Sequence, residues 1–163
     1  MKIIAIDPGN TESAYCLMDE EYKPLKFAKA NNEDVQEYII SAAADKNIKA
    51  VVIEMIACYG MPVGREVFET CVWIGKFMQT ISDYFSGVPV LRIERPKVKL
   101  NVCNSAKAKD SNIRRALIDR FAKHDLKNGK GTKKNPDFFY GFKADIWAAY
   151  AVGVTYFDER IEA

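Results

Sequence analysis

At 163 residues, 48% hydrophobic and 28% charged, the chain has the size and balance of one soluble globular domain, which excludes disordered and collagen-like classes. No apolar run approaches the ~18 residues of a membrane helix and no basic, apolar leader opens the chain, so membrane spanning and secretion are not expected and a cytoplasmic protein is. The net charge of +2 conceals an asymmetry: Arg95 to Lys134 carries thirteen Lys and Arg against three acids, and the rest of the chain is acidic.

Met1 to Asp7 reads as an apolar strand, and the Pro-Gly-Asn-Thr that follows is turn chemistry at its C-terminal end. Ser13 to Met18 and Tyr22 to Ala28 read as two more strands joined by an acidic turn, an antiparallel meander with the first. Asn32 to Lys46 has helical spacing at Val35, Tyr38, Ile39 and Ala42. Ala50 to Glu54 is a short apolar run of the kind a central buried strand uses. Arg65 to Phe85 predicts a long helix, Val88 to Ile93 a fifth strand, and Asp110 to Lys123 a helix capped by Asp110 or Ser111. The Gly- and Lys-rich stretch from Lys127 to Lys134 is expected to be mobile, and Lys143 to Asp158 closes the chain as an apolar helix. These elements predict a single α/β domain, a mixed five-stranded sheet with helices on both faces.

Four cysteines lack CxxC spacing and the only histidine is His124, which removes zinc fingers, thiolate clusters and histidine-dependent catalysis. Carboxylates remain. Asp7 and Glu54 each end an apolar strand as its only acid, a placement that costs free energy without a cation or a hydrogen-bond partner. Asp145 falls one residue inside the last predicted helix. Ligands of open sheets gather outside the carboxyl ends of strands, and oxygen ligands without nitrogen or sulfur select Mg²⁺ or Mn²⁺. A pair of such ions can activate water and stabilise the leaving oxygen of a phosphodiester. Singly, each acid could equally end a strand beside a lysine or cap a helix. The basic block reads as a footprint for a polyanion or as a solvated helix face.

The segment IAIDPGNTESAYCLMD resembles the first hairpin of RuvC-like Holliday junction resolvases, VVIEMIACYGMPVG resembles their second acidic strand, and KADIWAAYAVGVTY resembles their C-terminal acidic helix. The likeness runs through nearly the whole chain, and Lys97 to Arg115 is similar to phage-encoded members. The resemblance implies an RNase H-like fold, a homodimer, Mg²⁺ dependence with Mn²⁺ as a substitute, and paired nicks in four-way junctions and related branched DNA. It makes Asp7, Glu54 and Asp145 the metal ligands and catalytic acids, with a metal-bound water as nucleophile. The family carries a further carboxylate three residues away on the last helix, where this chain has Phe142 and Ala148. Three acids suffice, or Asp137 folds in, or the chain is inactive.

Tyr59 lies where the family places an aromatic wedge, and a ring there can stack on an unpaired base for about 1–3 kcal/mol. A tyrosine buried at the sheet edge is the alternative. Lys97, Lys99, Lys107, Lys109 and Arg114, around a helix start, and Lys133 and Lys134 on the Gly-rich segment are candidate phosphate contacts. Trp73, Phe77 and Trp147 read as core, or as a dimer seam on the long helix. Three rival readings follow: a branched-DNA-binding module that no longer cuts, a ribonuclease H or RNA-processing nuclease, and an ATP-dependent kinase. The last rests on the likeness of Asp-Pro-Gly-Asn-Thr to a kinase phosphate turn, and such kinases need a second domain for which this chain is too short.

Overall fold

A computed structural model describes residues 1–160. Strands β1 (Lys2–Asp7), β2 (Glu12–Asp19), β3 (Pro24–Asn31), β4 (Ile48–Met55) and β5 (Val90–Glu94) form one sheet in the order β3-β2-β1-β4-β5. The first three strands are an antiparallel meander, while β4 and β5 lie parallel to β1 and to each other. Helices α1 (Asn32–Ala42) and α2 (Arg65–Tyr84) cover one face, and α3 (Arg95–Cys103), α4 (Asp110–Phe121) and α5 (Ile146–Glu159) cover the other. The architecture is the mixed five-stranded sheet with helices on both faces that the residue pattern predicts.

The two-residue period of a strand sorts the core into two layers. In β1, Ile3 and Ala5 join the layer under α5, and Ile4 and Ile6 join the layer under α2. By the same alternation Ala50 and Val52 of β4 face α5. Asp7 and Glu54 continue those rows, so both carboxylates are directed to the α5 side at the C-terminal ends of neighbouring parallel strands. Helix α5 packs closely there because its small residues permit it. A Cβ added at Gly153 would collide with Met18 Sδ and press on Ala5 Cβ at 3.2 Å.

Several boundaries differ from the sequence expectation. Helix α3 was not expected, because its Lys- and Asn-containing turns have little apolar periodicity, although Pro96 at its second position is a helix-start signal. Lys109, rather than Asp110 or Ser111, caps α4, and the Asn112 side chain accepts from the Lys109 N–H at 2.9 Å. Asp145 is the residue before α5, not a residue inside the helix.

The stretch expected to be mobile is a knot of short turns. Buried Asp137 accepts hydrogen bonds from the backbone N–H groups of Lys123, His124, Asp125 and Phe138 at 2.6–2.8 Å. Asp125 in turn accepts from Asn128, Lys130 and Gly131. These bonds hold the Asp137 carboxyl below the ordinary carboxylate range against the opposing effect of burial. Asp137 is therefore committed to the loop and does not join the strand-end acids.

Candidate active site

The Pro-Gly turn fixes the end of β1. The Gly9 N–H donates to Ser13 Oγ at 3.0 Å, the Ser13 hydroxyl donates to Asn32 Oδ1, and Asn32 Nδ2 donates back to the Gly9 carbonyl at 2.9 Å. Ser13 and Asn32 are buried, and a Cβ at position 9 would collide with the Glu12 carbonyl oxygen, so the turn accepts only glycine there. Asp7 thus leaves the sheet in a set direction.

Asp7 and Glu54 line one open cleft together with Arg95, Lys99, Thr70 and Tyr59. No hydrogen bond or ion pair reaches the Asp7 carboxylate among the described residues. Burial, reinforced by the negative charges of Glu54 and Asp145, pushes its pKa from 3.8 up to about 8. Burial also raises Glu54, against the pull of Arg95. A strand-end carboxylate held in that state has a strong demand for a cation.

The other acids already have protein cations. Arg95 Nη1 donates to Glu54 Oε1 at 3.2 Å, and its Nη2 donates to Asp110 Oδ1 at 2.5 Å, so one guanidinium joins β4 to the start of α4. Lys29, on β3, pairs with Asp145 Oδ2 at 2.7 Å, and this contact raises the lysine's pKa. The backbone ahead of Asp145 is strained, because Ala144 sits in the left-handed region at φ 47°, which costs an alanine about 1–2 kcal/mol. Among the described residues no three His, Cys, Asp or Glu side chains are placed to share one metal ion. The donor set, oxygen only, fits Mg²⁺ or Mn²⁺ in kind. Asp7, beside Glu54 and with only the through-space charge of Arg95 opposing its burial, is where such a charge is most needed.

The remaining candidates are spread around this cleft. Tyr59 is 73% exposed at a loop tip, not buried at the sheet edge, and its hydroxyl donates to Glu94 at 3.1 Å. Lys99 lines the cleft wall, whereas Lys97 is paired at 2.7 Å with Glu159, at the other end of α5 from Asp145. Lys107 and Lys109 are exposed on the approach to α4. Arg114 lies over the buried Trp147 ring and borders a 140 Å³ cavity shared with Asp110, Asp145 and Ala148. Lys133 and Lys134 are exposed in the Asp137 knot. Arg95, Lys29 and Asp110 were missed in the sequence. Arg95 and Asp110 stood inside the basic block, but nothing local to them signals their partners.

Two solved structures share this fold over nearly the whole chain. The chain is similar to Thermus thermophilus RuvC, with a TM-score of 0.71 at 16% identity, covering 98% of this chain and 96% of that one. It is equally similar to T. thermophilus RuvC in complex with a Holliday junction substrate, with a TM-score of 0.72 at 14% identity, covering 98% and 95%. No family profile and no curated protein matches the sequence.

Proposed function

We propose that the chain is a divalent-metal-dependent, structure-selective endonuclease that cuts four-way junctions and related branched DNA by phosphodiester hydrolysis. The observation that carries this reading is the pair Asp7 and Glu54: adjacent strand-end carboxylates, on one face, in one cleft, with no hydrogen bond or ion pair to Asp7 among the described residues and only the through-space charge of Arg95 opposing its burial. The RuvC fold around them supports the same reading.

Asp7 and Glu54 would hold Mg²⁺ or Mn²⁺, with Asp145 completing the set from the α5 side once it leaves Lys29. The bound ions would supply Lewis acidity and a water of lowered pKa. The chain's own cations have separate work. Lys99 on the cleft wall and Arg114 beside the Asp110–Asp145 cavity would contact the phosphates of a bound strand. Lys107, Lys109, Lys133 and Lys134 add salt-sensitive attraction without reading sequence, and Lys97 joins them only by leaving Glu159. Tyr59, exposed above the cleft, supplies a ring on which an unpaired base can stack.

A homodimer belongs to this proposal. Phe68 and Val72, one turn apart on the outer side of α2, are 63% and 52% exposed, an apolar strip that a second copy would cover.

One observation favours a second reading, a module that binds branched DNA without cutting it: Asp145 is tied to Lys29 and no three acids share an ion site among the described residues. The two readings part in one assay. A labelled synthetic four-way junction is incubated with the protein in Mg²⁺ or Mn²⁺, and nicking is followed on a denaturing gel and binding by mobility shift. The nuclease reading expects nicks that Asp7→Asn abolishes while binding persists. Tight binding with no nick in either metal selects the module, and cleavage of RNA–DNA duplex in preference to the junction would reject junction specificity.

A further inference from the structure

Resting on the branched-DNA reading, we infer that a pocket between α4 and the loop after it, lined by Arg114, Lys127 and Lys130, takes the phosphate backbone of the strand that leaves the cleft. The pocket has a volume of about 230 Å³, and Ile118, Asp125 and Asn128 complete its walls. Arg114 also borders the cavity of Asp110 and Asp145. Asp110, Arg114 and Ile118 follow at four-residue spacing, so they form a row about 12 Å long on one side of α4. That row leads from the acid end of the helix to the cationic pocket, with Arg114 between the two.

The charge of the pocket favours phosphate. Among the described residues Arg114, Lys127 and Lys130 have no acid partner, whereas Lys97, Arg115 and Arg120 on the same side of the sheet are paired with Glu159, Asp119 and Asp158. Asp125 is the one acid in the lining, and its carboxylate is spent on the backbone N–H groups of Asn128, Lys130 and Gly131. Three cations therefore face one occupied acid. The pocket is also fixed in shape. The Arg114 guanidinium lies over the ring of buried Trp147, and Arg115 donates to the Leu126 and Lys127 carbonyls, which ties the loop to α4. Lys130 stands between Gly129 and Gly131, whose φ angles are 72° and 64°. A Cβ at Gly129 would come within 2.9 Å of Phe139, and one at Gly131 would collide with the Asn135 carbonyl oxygen. The loop backbone is thus set before a strand arrives, which lowers the ordering cost of binding.

A solvated cationic face that only keeps the protein soluble is the competing account. Salt dependence separates the two, because each lysine that meets a phosphate releases condensed counterions. Binding of a labelled four-way junction to the full chain is followed by mobility shift in EDTA over a series of salt concentrations. K127A/K130A is expected to reduce the slope of log affinity against log salt by about 1.5–2 and to weaken binding at least about fivefold at physiological salt. K127R/K130R, which keeps the charge, is expected to hold the slope. K46A/K49A removes the same charge at the opposite end of the sheet, around the start of β4, and is expected to hold it too. An unchanged slope in K127A/K130A overturns the inference. So does an equal fall in K46A/K49A, which would make the effect one of net charge, or a fall that K127R/K130R shares, which would make it one of loop structure. If the unsubstituted chain binds and nicks junctions while K127A/K130A keeps its slope, the pocket alone fails. If the unsubstituted chain does not bind the junction, the branched-DNA reading fails and takes the pocket with it.

Discussion

Replacing Asp7 by asparagine should stabilise the metal-free protein. The carboxylate has no partner among the described residues, and burial with the charges of Glu54 and Asp145 raises its pKa from 3.8 to about 8. In the unfolded chain Asp7 releases its proton near 3.8, whereas in the folded chain it keeps the proton until about 8. Folding therefore loses stability from this group as pH rises through that window, and the penalty is absent below it. At neutral pH only the part of that window from 3.8 to 7 has been crossed, which corresponds to a ceiling of about 4 kcal/mol at 1.36 kcal/mol per pH unit. Asp7 borders an open cleft whose water screens part of that charge, which reduces the expected effect to about 1–3 kcal/mol. For a chain of this size that raises the melting temperature by roughly 3–10 °C.

The assay is calorimetric or circular-dichroism melting of both proteins in EDTA across a pH series. The gap between Asp7→Asn and the unsubstituted chain should be near zero around pH 4, widen to about pH 8 and then level off. Mg²⁺ should narrow it, since an ion bound to the carboxylate stabilises only the unsubstituted protein. An Asp7→Asn protein that melts at or below the unsubstituted one at neutral pH in EDTA, or a gap indifferent to pH, refutes the reasoning.

Asp137→Ala should cost about 2–4 kcal/mol by orphaning four backbone N–H groups in the loop, seen as a lower urea midpoint. Because the Asp137 carboxyl lies below its ordinary range when folded, its contribution is present above about pH 4 and lost as the solution becomes more acid, so the two proteins' midpoints should converge there. Gly153→Ala should lose about 1–3 kcal/mol, since the new methyl meets Met18 Sδ and Ala5 in a closely packed layer. A Gly153→Ala protein as stable as its parent would show that α5 can shift off the sheet. Phe68→Glu should leave the melting curve of the protomer nearly unchanged while converting a dimer to a monomer in sedimentation velocity, and an unchanged sedimentation coefficient would remove α2 from any interface.

The sheet and two of its acids are legible from the residue pattern alone. Alternation and uninterrupted apolar runs are properties of adjacent residues, so β1 and β4 and the lone carboxylates that end them, Asp7 and Glu54, could be read without knowing what packs on them. The Asp145 segment was legible in the same way, from small and apolar residues at helical spacing. What lay beyond reach were the groups whose role is defined by distant partners. Arg95 looks like any other cation of the basic block until the fold sets it between Glu54, 41 positions earlier, and Asp110. Lys29 resembles an edge-strand lysine until Asp145 comes to rest against it. The Lys127 to Lys134 stretch has the composition of a loose linker, yet the Asp125 carboxylate holds the backbone amides of Asn128, Lys130 and Gly131, and Asp137 holds the amides of residues on either side of it. Local periodicity is set by bonds along the chain, whereas the electrostatic state of a carboxylate depends on burial and on charges a few ångströms away through space, and those only the tertiary structure brings together.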